Sequence, residues 1–126
     1  MLGEVDDVLS QVSVMVVEDD AMLRRILARS LEKLGAYNVV VDGSDAALQA
    51  LEKEAFAIAL IDAHLVGETG QDVLRKLQTV REQPPKFICI SAACLAPEPA
   101  GEGFDGFDSK PATVDQMREL LLRWLA

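Results

Sequence analysis

The chain has 126 residues, 50% of them hydrophobic, and carries 21 acidic against 12 basic side chains for a net charge of −9. That length makes one domain with a core that needs no disulfide support, and the apolar content excludes a disordered chain. No apolar run nears the ~20 residues of a membrane helix, and an acidic surface without a basic stripe excludes direct nucleic-acid binding.

Residues 1–12 read as a leader or linker, and 13–126 as the domain proper. The start, Met1 to Asp7, is acidic and lacks the basic stretch of a signal peptide, so a cytoplasmic location is expected. Val14 to Val17 form a first strand that runs into Glu18-Asp19-Asp20. Leu23, Ile26, Leu27, Leu31 and Leu34 then recur at helical spacing, and Gly35 supplies the stop. Tyr37 to Val41 form a second strand, and Asp42-Gly43-Ser44 a turn and N-cap for a helix marked by Ala47, Leu48, Leu51 and Ala55. The third strand, Ala57 to Ile61, ends at Asp62, followed by a loop from Ala63 to Gly70. Val73, Leu74, Leu77 and Val80 mark a third helix ended by Pro84-Pro85. Phe87 to Ile90 form a fourth strand ending at Ser91. Ala92 to Gly106 is rich in Pro and Gly, with room for one short helix at best. Phe104 to Asp108 form a fifth strand leading into Lys110-Pro111. Thr113 with Gln116 resembles a capping box, and Val114, Met117, Leu120, Leu121 and Trp124 carry the last helix.

Strands alternating with helices through short connections predict an α/β fold, a five-stranded parallel sheet with helices on both faces. In such a sheet the strand ends converge on one edge, where ligands bind. That edge would gather Glu18, Asp19, Asp62, Ser91 and Lys110. A carboxylate at a strand end can accept a phosphoryl group. Glu18, Asp19, Asp62 and the backbone carbonyl of His64 offer oxygens to Mg2+. Lys110 brings a mobile positive charge, with its backbone held extended by Pro111, and the Ser91 hydroxyl can donate to a phosphoryl oxygen. Each element alone has a plainer role. Asp19 or Asp20 can cap a helix, Asp62 can start a turn, and Lys-Pro is a common way to leave a strand. Four in order, each at the end of a different strand, point to the chemistry.

Val16-Val17-Glu18-Asp19-Asp20, Leu60-Ile61-Asp62 with Gly70, Ile90-Ser91-Ala92 and Ser109-Lys110-Pro111 together resemble the receiver domain of two-component response regulators, over roughly Ser13 to Ala126. The resemblance implies a flavodoxin-like, doubly wound sheet of order 2-1-3-4-5, here with a shortened or irregular helix 4. It implies Asp62 as the phosphoacceptor, Glu18 and Asp19 as the metal pocket for Mg2+, Lys110 as the phosphate-sensing lysine, and Ser91 with Phe107 as the switch pair. The donor it implies is a histidine kinase or a histidine phosphotransfer protein. It implies no enzymatic output beyond the domain's own phosphorylation and dephosphorylation. The downstream effector is unknown, and a phosphorylation-dependent homodimer would use the face of helix 4, strand 5 and helix 5. With no helix-turn-helix or catalytic segment after Ala126, both a stand-alone regulator and a segment of a hybrid histidine kinase fit.

The match departs from the family at four places. His64 stands where a small, polar or apolar residue is commoner, either as an exposed loop side chain or as a group that alters access to Asp62. Val66 replaces a common proline. Ala93 cannot orient a water, and Ala92 to Gly106 is broken. Cys89 reads as a core residue, and Cys94 falls in the broken segment. The alternative function is a phosphorylation-independent pseudo-receiver serving as a protein-interaction module. A phosphatase of the Asp-x-Asp type lacks its second acid here, since Ala63-His64 follows Asp62. No G-x-x-x-x-G-K-[ST] loop supports a GTPase or ATPase.

Overall fold

The computed structural model describes residues 9–92 and 103–125. The expectations for Cys94, for Ala93 and for a broken helix 4 fall on positions 93–102, outside the described residues.

Among the described residues, seven strands and four helices follow in chain order: β1 (Ser13–Val17), α1 (Ala21–Lys33), β2 (Tyr37–Val41), α2 (Ser44–Lys53), β3 (Ile58–Asp62), β4 (His64–Leu65), β5 (Glu68–Thr69), α3 (Gly70–Leu77), β6 (Lys86–Ser91), β7 (Gly106–Ser109) and α4 (Val114–Leu125). Five strands form one parallel sheet of order β2-β1-β3-β6-β7. This is the expected 2-1-3-4-5 order, renumbered because the small antiparallel hairpin β4-β5 intervenes. That hairpin corrects the reading of Ala63 to Gly70 as plain loop. Gly67, at φ 82, supplies the positive-φ position its tight turn requires.

Side-chain alternation along the strands divides the core in two. Val14, Val16, Ile58, Leu60, Ile88 and Ile90 face Leu27, Leu31 and Leu34 of the α1 region and Met117, Leu120 and Leu121 of α4. Met15, Val17, Ala59, Ile61 and Phe87 face Ala47 and Leu51 of α2 and Val73, Leu74 and Leu77 of α3. Central strands buried on both faces explain why they read as continuous apolar runs. Leu9, just before the expected domain start at Ser13, is also buried in the first cluster. Its burial contributes about 1.5–3 kcal/mol. The Val12 carbonyl accepts from the Tyr37 N–H at 3.1 Å.

Caps set the helix limits. Asp20 accepts from the N–H groups of Met22 and Leu23, so the third acid of the cluster is the α1 N-cap. At the other end the Ala36 N–H donates to the Leu31 carbonyl and the Gly35 N–H to the Glu32 carbonyl, with Gly35 at φ 79. This is a Schellman stop at the expected glycine. Helix α2 starts within the expected Asp42-Gly43-Ser44 turn. Gly43 is its N-cap and makes no side-chain bond. The Ser44 N–H donates instead to Glu68 Oε2 at 3.0 Å, a carboxylate reaching over from β5. Thr69 and Asp72 cap α3 reciprocally. That helix ends at Leu77, not beyond Val80: the Val80 N–H donates to the Leu77 carbonyl in a tighter turn, and Arg81 beyond it donates to the Leu51 carbonyl near the end of α2. Thr113 accepts from the Gln116 N–H as expected, whereas the Gln116 side chain accepts from Ala112.

The last strand begins two residues later than expected. Asp105 precedes it and grips Phe87 twice, through its N–H to the Phe87 carbonyl and its carboxylate to the Phe87 N–H, both at 2.8 Å. Trp124 of α4 lies over Gly106, where a Cβ would stand 2.1 Å from the indole ring. The indole N–H donates to Asp108 at 3.1 Å, and Arg123 pairs with the same carboxylate.

Candidate functional site

The chain winds outward from β1 to β2, then returns to place β3 on the other side of β1. A crevice opens beyond the strand ends where the winding reverses. Glu18 and Asp19 follow β1, and Asp62 ends β3, so both sides of that crevice carry carboxylates. Register places Asp62 opposite Ile90 and Ser91 opposite Ser109, which brings the ends of β6 and β7 to the same edge.

Four side chains meet there. Lys110 Nζ lies 2.9 Å from Glu18 Oε1 and 3.1 Å from Asp62 Oδ2. Glu18 is 1% exposed and Asp62 3%. Carboxylates are seldom buried so deeply unless paired. Burial raises the Glu18 carboxyl above its ordinary range, and the Asp62 charge adds to this. The Lys110 ammonium and the Asp20 N–H oppose the rise without cancelling it. Burial lowers the Lys110 ammonium, but Glu18 and Asp62 outweigh it and hold the group above the usual lysine value. The backbone is equally tied. The Lys110 N–H donates to the Ser91 carbonyl at 2.8 Å, the Glu18 N–H to the Val41 carbonyl at 2.9 Å, and Arg24 to the Glu18 carbonyl at 2.9 Å.

The hairpin covers the cluster from the side. The His64 N–H donates to Asp62 Oδ1 at 3.1 Å, and the Val66 N–H to Asp19 Oδ2 at 2.5 Å. A proline at Val66 would lack that donor. Gly70 starts α3 against the carbonyl of Asp62, where a Cβ would stand 2.8 Å from the oxygen. The absence of a side chain lets the helix approach the backbone of Asp62 and Ala63.

Glu18, Asp19 and Asp62 each present a carboxylate oxygen within 4.8 Å of the others. Three carboxylates beside one ammonium leave an excess of negative charge, and the buried Glu18 Oε1 has the Lys110 ammonium as its one partner among the described residues. An all-oxygen donor set with one such oxygen fits a hard divalent cation such as Mg2+.

The structure thus brings Glu18, Asp19, Asp62 and Lys110 together. Ser91 is half-buried on the neighbouring strand end and enters the site through its carbonyl. The His64 side chain is exposed, which matches the plainer reading, and its N–H faces Asp62. Phe107 is half-buried on β7 and packs at a tilt on Phe104, with ring centroids 6.1 Å apart. Cys89 is a core residue as expected. Burial, with a smaller effect of the Asp62 charge, pushes its thiol up to about 11, so it stays protonated and inert. Glu68 escaped the sequence reading. It fixes the far end of the hairpin through Ser44 and Lys76, and no local signal links residues 24 positions apart.

The family model for the response regulator receiver domain matches residues 14–122. The sensor protein GacS of Pseudomonas syringae pv. syringae is 28% identical over 118 residues, covering 88% of this chain and 13% of GacS. The aerobic respiration control sensor protein ArcB of Escherichia coli (strain K12) is 32% identical over 133 residues, covering 96% of this chain and 17% of ArcB. The chain therefore spans less than a fifth of either relative. Among solved structures, the receiver domain of the sensor histidine kinase PA1611 from Pseudomonas aeruginosa PAO1, with a magnesium ion coordinated in its active site cleft, superposes with a TM-score of 0.76 at 20% identity, covering 90% of this chain and 97% of that one. Among the described residues no helix is long and apolar enough to cross a membrane.

Proposed function

The chain belongs to the response regulator receiver domain family of two-component systems, and from that premise we propose that Asp62 accepts a phosphoryl group from a phosphohistidine of a histidine kinase or a histidine phosphotransfer protein in the cytoplasm. The observation that carries the reading is the buried Asp62 carboxylate, held between Lys110 and the His64 N–H beside two further acids. An Asp62 oxygen attacks the phosphorus in line with the phosphorus–nitrogen bond. The new phosphorus–oxygen bond forms as that bond breaks, and the imidazole leaves with the electron pair and takes a proton. Such a transfer asks the protein mainly for positioning and charge neutralisation. Lys110 already pairs with Asp62 and has only to shift toward the incoming oxygens. The Ser91 hydroxyl, on the adjacent strand end, donates to one of them. Glu18, Asp19, Asp62 and the His64 carbonyl would hold Mg2+, which supplies neutralisation of the phosphoryl oxygens when bound. The new dianion draws Ser91 and Lys110, and through β7 reorients Phe107, so that a partner surface changes. The relatives include sensor kinases, which favours a receiver segment of a hybrid kinase as the setting.

The test is intact-protein mass spectrometry after incubation with acetyl phosphate, with and without MgCl2, on wild type and Asp62→Asn. An alkali-labile phosphoryl adduct that needs magnesium and appears on wild type alone is the expected result. An equal adduct on Asp62→Asn removes the assignment of Asp62. No adduct from acetyl phosphate or a phosphorylated donor, together with no magnesium binding, establishes the phosphorylation-independent interaction module instead.

A further inference from the structure

The segment between Asp62 and Gly70 donates to the acidic cluster at two points, and the Val66 bond is the long-range one. It joins a backbone N–H to a carboxylate oxygen 47 positions away, Asp19 Oδ2, at 2.5 Å. The Val66 side chain is 90% exposed, so packing does not explain what the residue does for the site. The hairpin that presents the amide is held from outside the cluster. Glu68 is bonded to the Ser44 N–H, Thr69 caps α3, and the Gly70 N–H donates to the Ala63 carbonyl at 3.0 Å. Asp19 also presents a carboxylate oxygen within 4.8 Å of ligand oxygens of Glu18 and Asp62.

We propose that the Val66 backbone N–H is the positioning group for the divalent cation, fixing the Asp19 carboxylate so that its other oxygen completes the donor set. This rests on the cation-binding part of the function proposed above. Carboxylates that ligate metals are commonly oriented by hydrogen bonds from outside the ligand set, and losing such a partner typically costs 10–100-fold in affinity. The amide bond is charge-assisted and persists when the cation binds.

Val66 suits a clean test. Its φ is negative and the next residue, Gly67, has φ 82, as in a type II turn, where proline is favoured at the first central position. Leu65 before it lies in β4, the extended backbone that proline requires of its predecessor. Val66→Pro therefore removes the N–H and keeps the turn, while Val66→Ala keeps the N–H. MgCl2 titrated into each protein in a calorimeter should bind Val66→Pro about tenfold more weakly than wild type, with Val66→Ala unchanged. In 15N-labelled wild type, the Val66 amide proton should stay downfield and slow to exchange through magnesium saturation. Equal affinity in Val66→Pro overturns the proposal. So does an upfield move of the wild-type Val66 amide on saturation, which means the N–H competes with the cation. Should Val66→Pro lose its amide dispersion, the wild-type titration decides alone. Wild type that binds no magnesium sinks the cation site itself, an outcome distinct from a site that binds and ignores Val66.

Discussion

Lys110 is the only cation paired with the Glu18 and Asp62 carboxylates among the described residues, and its removal leaves two buried carboxylates facing each other. Breaking a buried pair from one side is costly because the remaining charge has no partner. Lys110→Ala should lower the unfolding free energy by about 3 kcal/mol in metal-free buffer at neutral pH. In an Asp62→Asn background the same substitution should cost less, since one of the two stranded charges is gone. Urea unfolding of the four proteins, with a constant dependence on denaturant, measures the coupling. An equal cost in both backgrounds would show that Lys110 does not compensate Asp62. At this scale the candidate site was legible because its residues are charged, lie at strand ends and interrupt apolar runs. Asp20 illustrates the limit. It carries a carboxylate like its neighbours, and only the path of α1 makes it a cap and not a ligand. The Val66 amide carried no side-chain signal at all.

Among the elements, the hairpin β4-β5 depends on Glu68, whose carboxylate stands at the N-terminus of α2 and also pairs with Lys76. Burial raises the Glu68 carboxyl, but the Ser44 N–H and hydroxyl and the Lys76 ammonium outweigh it and hold it below its ordinary range. An acid with a depressed folded pKa contributes stability above its unfolded pKa and loses it as pH falls through the folded value. Glu68→Gln keeps an acceptor for Ser44 and removes the charge. It should cost about 1 kcal/mol at pH 7, from the helix terminus and the ion pair. The difference from wild type should shrink through the acidic range and vanish below the lowered pKa. Unfolding curves at a series of pH values measure it, and a difference that does not change with pH would rule out the charge as its source. Helices and strands of the main sheet were legible because each has a periodic apolar face and local stop signals, such as Gly35. The hairpin was not. Its four residues are too short for a period, and its anchors, Asp19, Asp62 and Ser44, come from elsewhere in the chain.

The whole molecule carries a net charge of −9 and folds three carboxylates into one crevice. A cation that binds only the folded state stabilises it by mass action, about 2.7 kcal/mol at one hundred times its dissociation constant. The melting temperature should therefore rise with MgCl2 by a few degrees beyond the rise in NaCl of matched ionic strength. Asp19→Ala should respond to both salts alike. Calorimetric melts settle it, and a wild type that responds equally to the two salts would leave only general screening of the acidic surface. The doubly wound topology was readable because alternation of strands and helices leaves few ways to connect a parallel sheet. The contact of Trp124 with Gly106 was not, because it joins a helix end to a strand start with no shared motif. That contact makes the molecule its own optical gauge. The chain's one tryptophan rests on the strand that leads into Lys110, with its indole N–H on Asp108. Its emission colour and yield will follow any displacement of that strand, so events at the crevice can be timed in a stopped-flow fluorimeter with no dye attached.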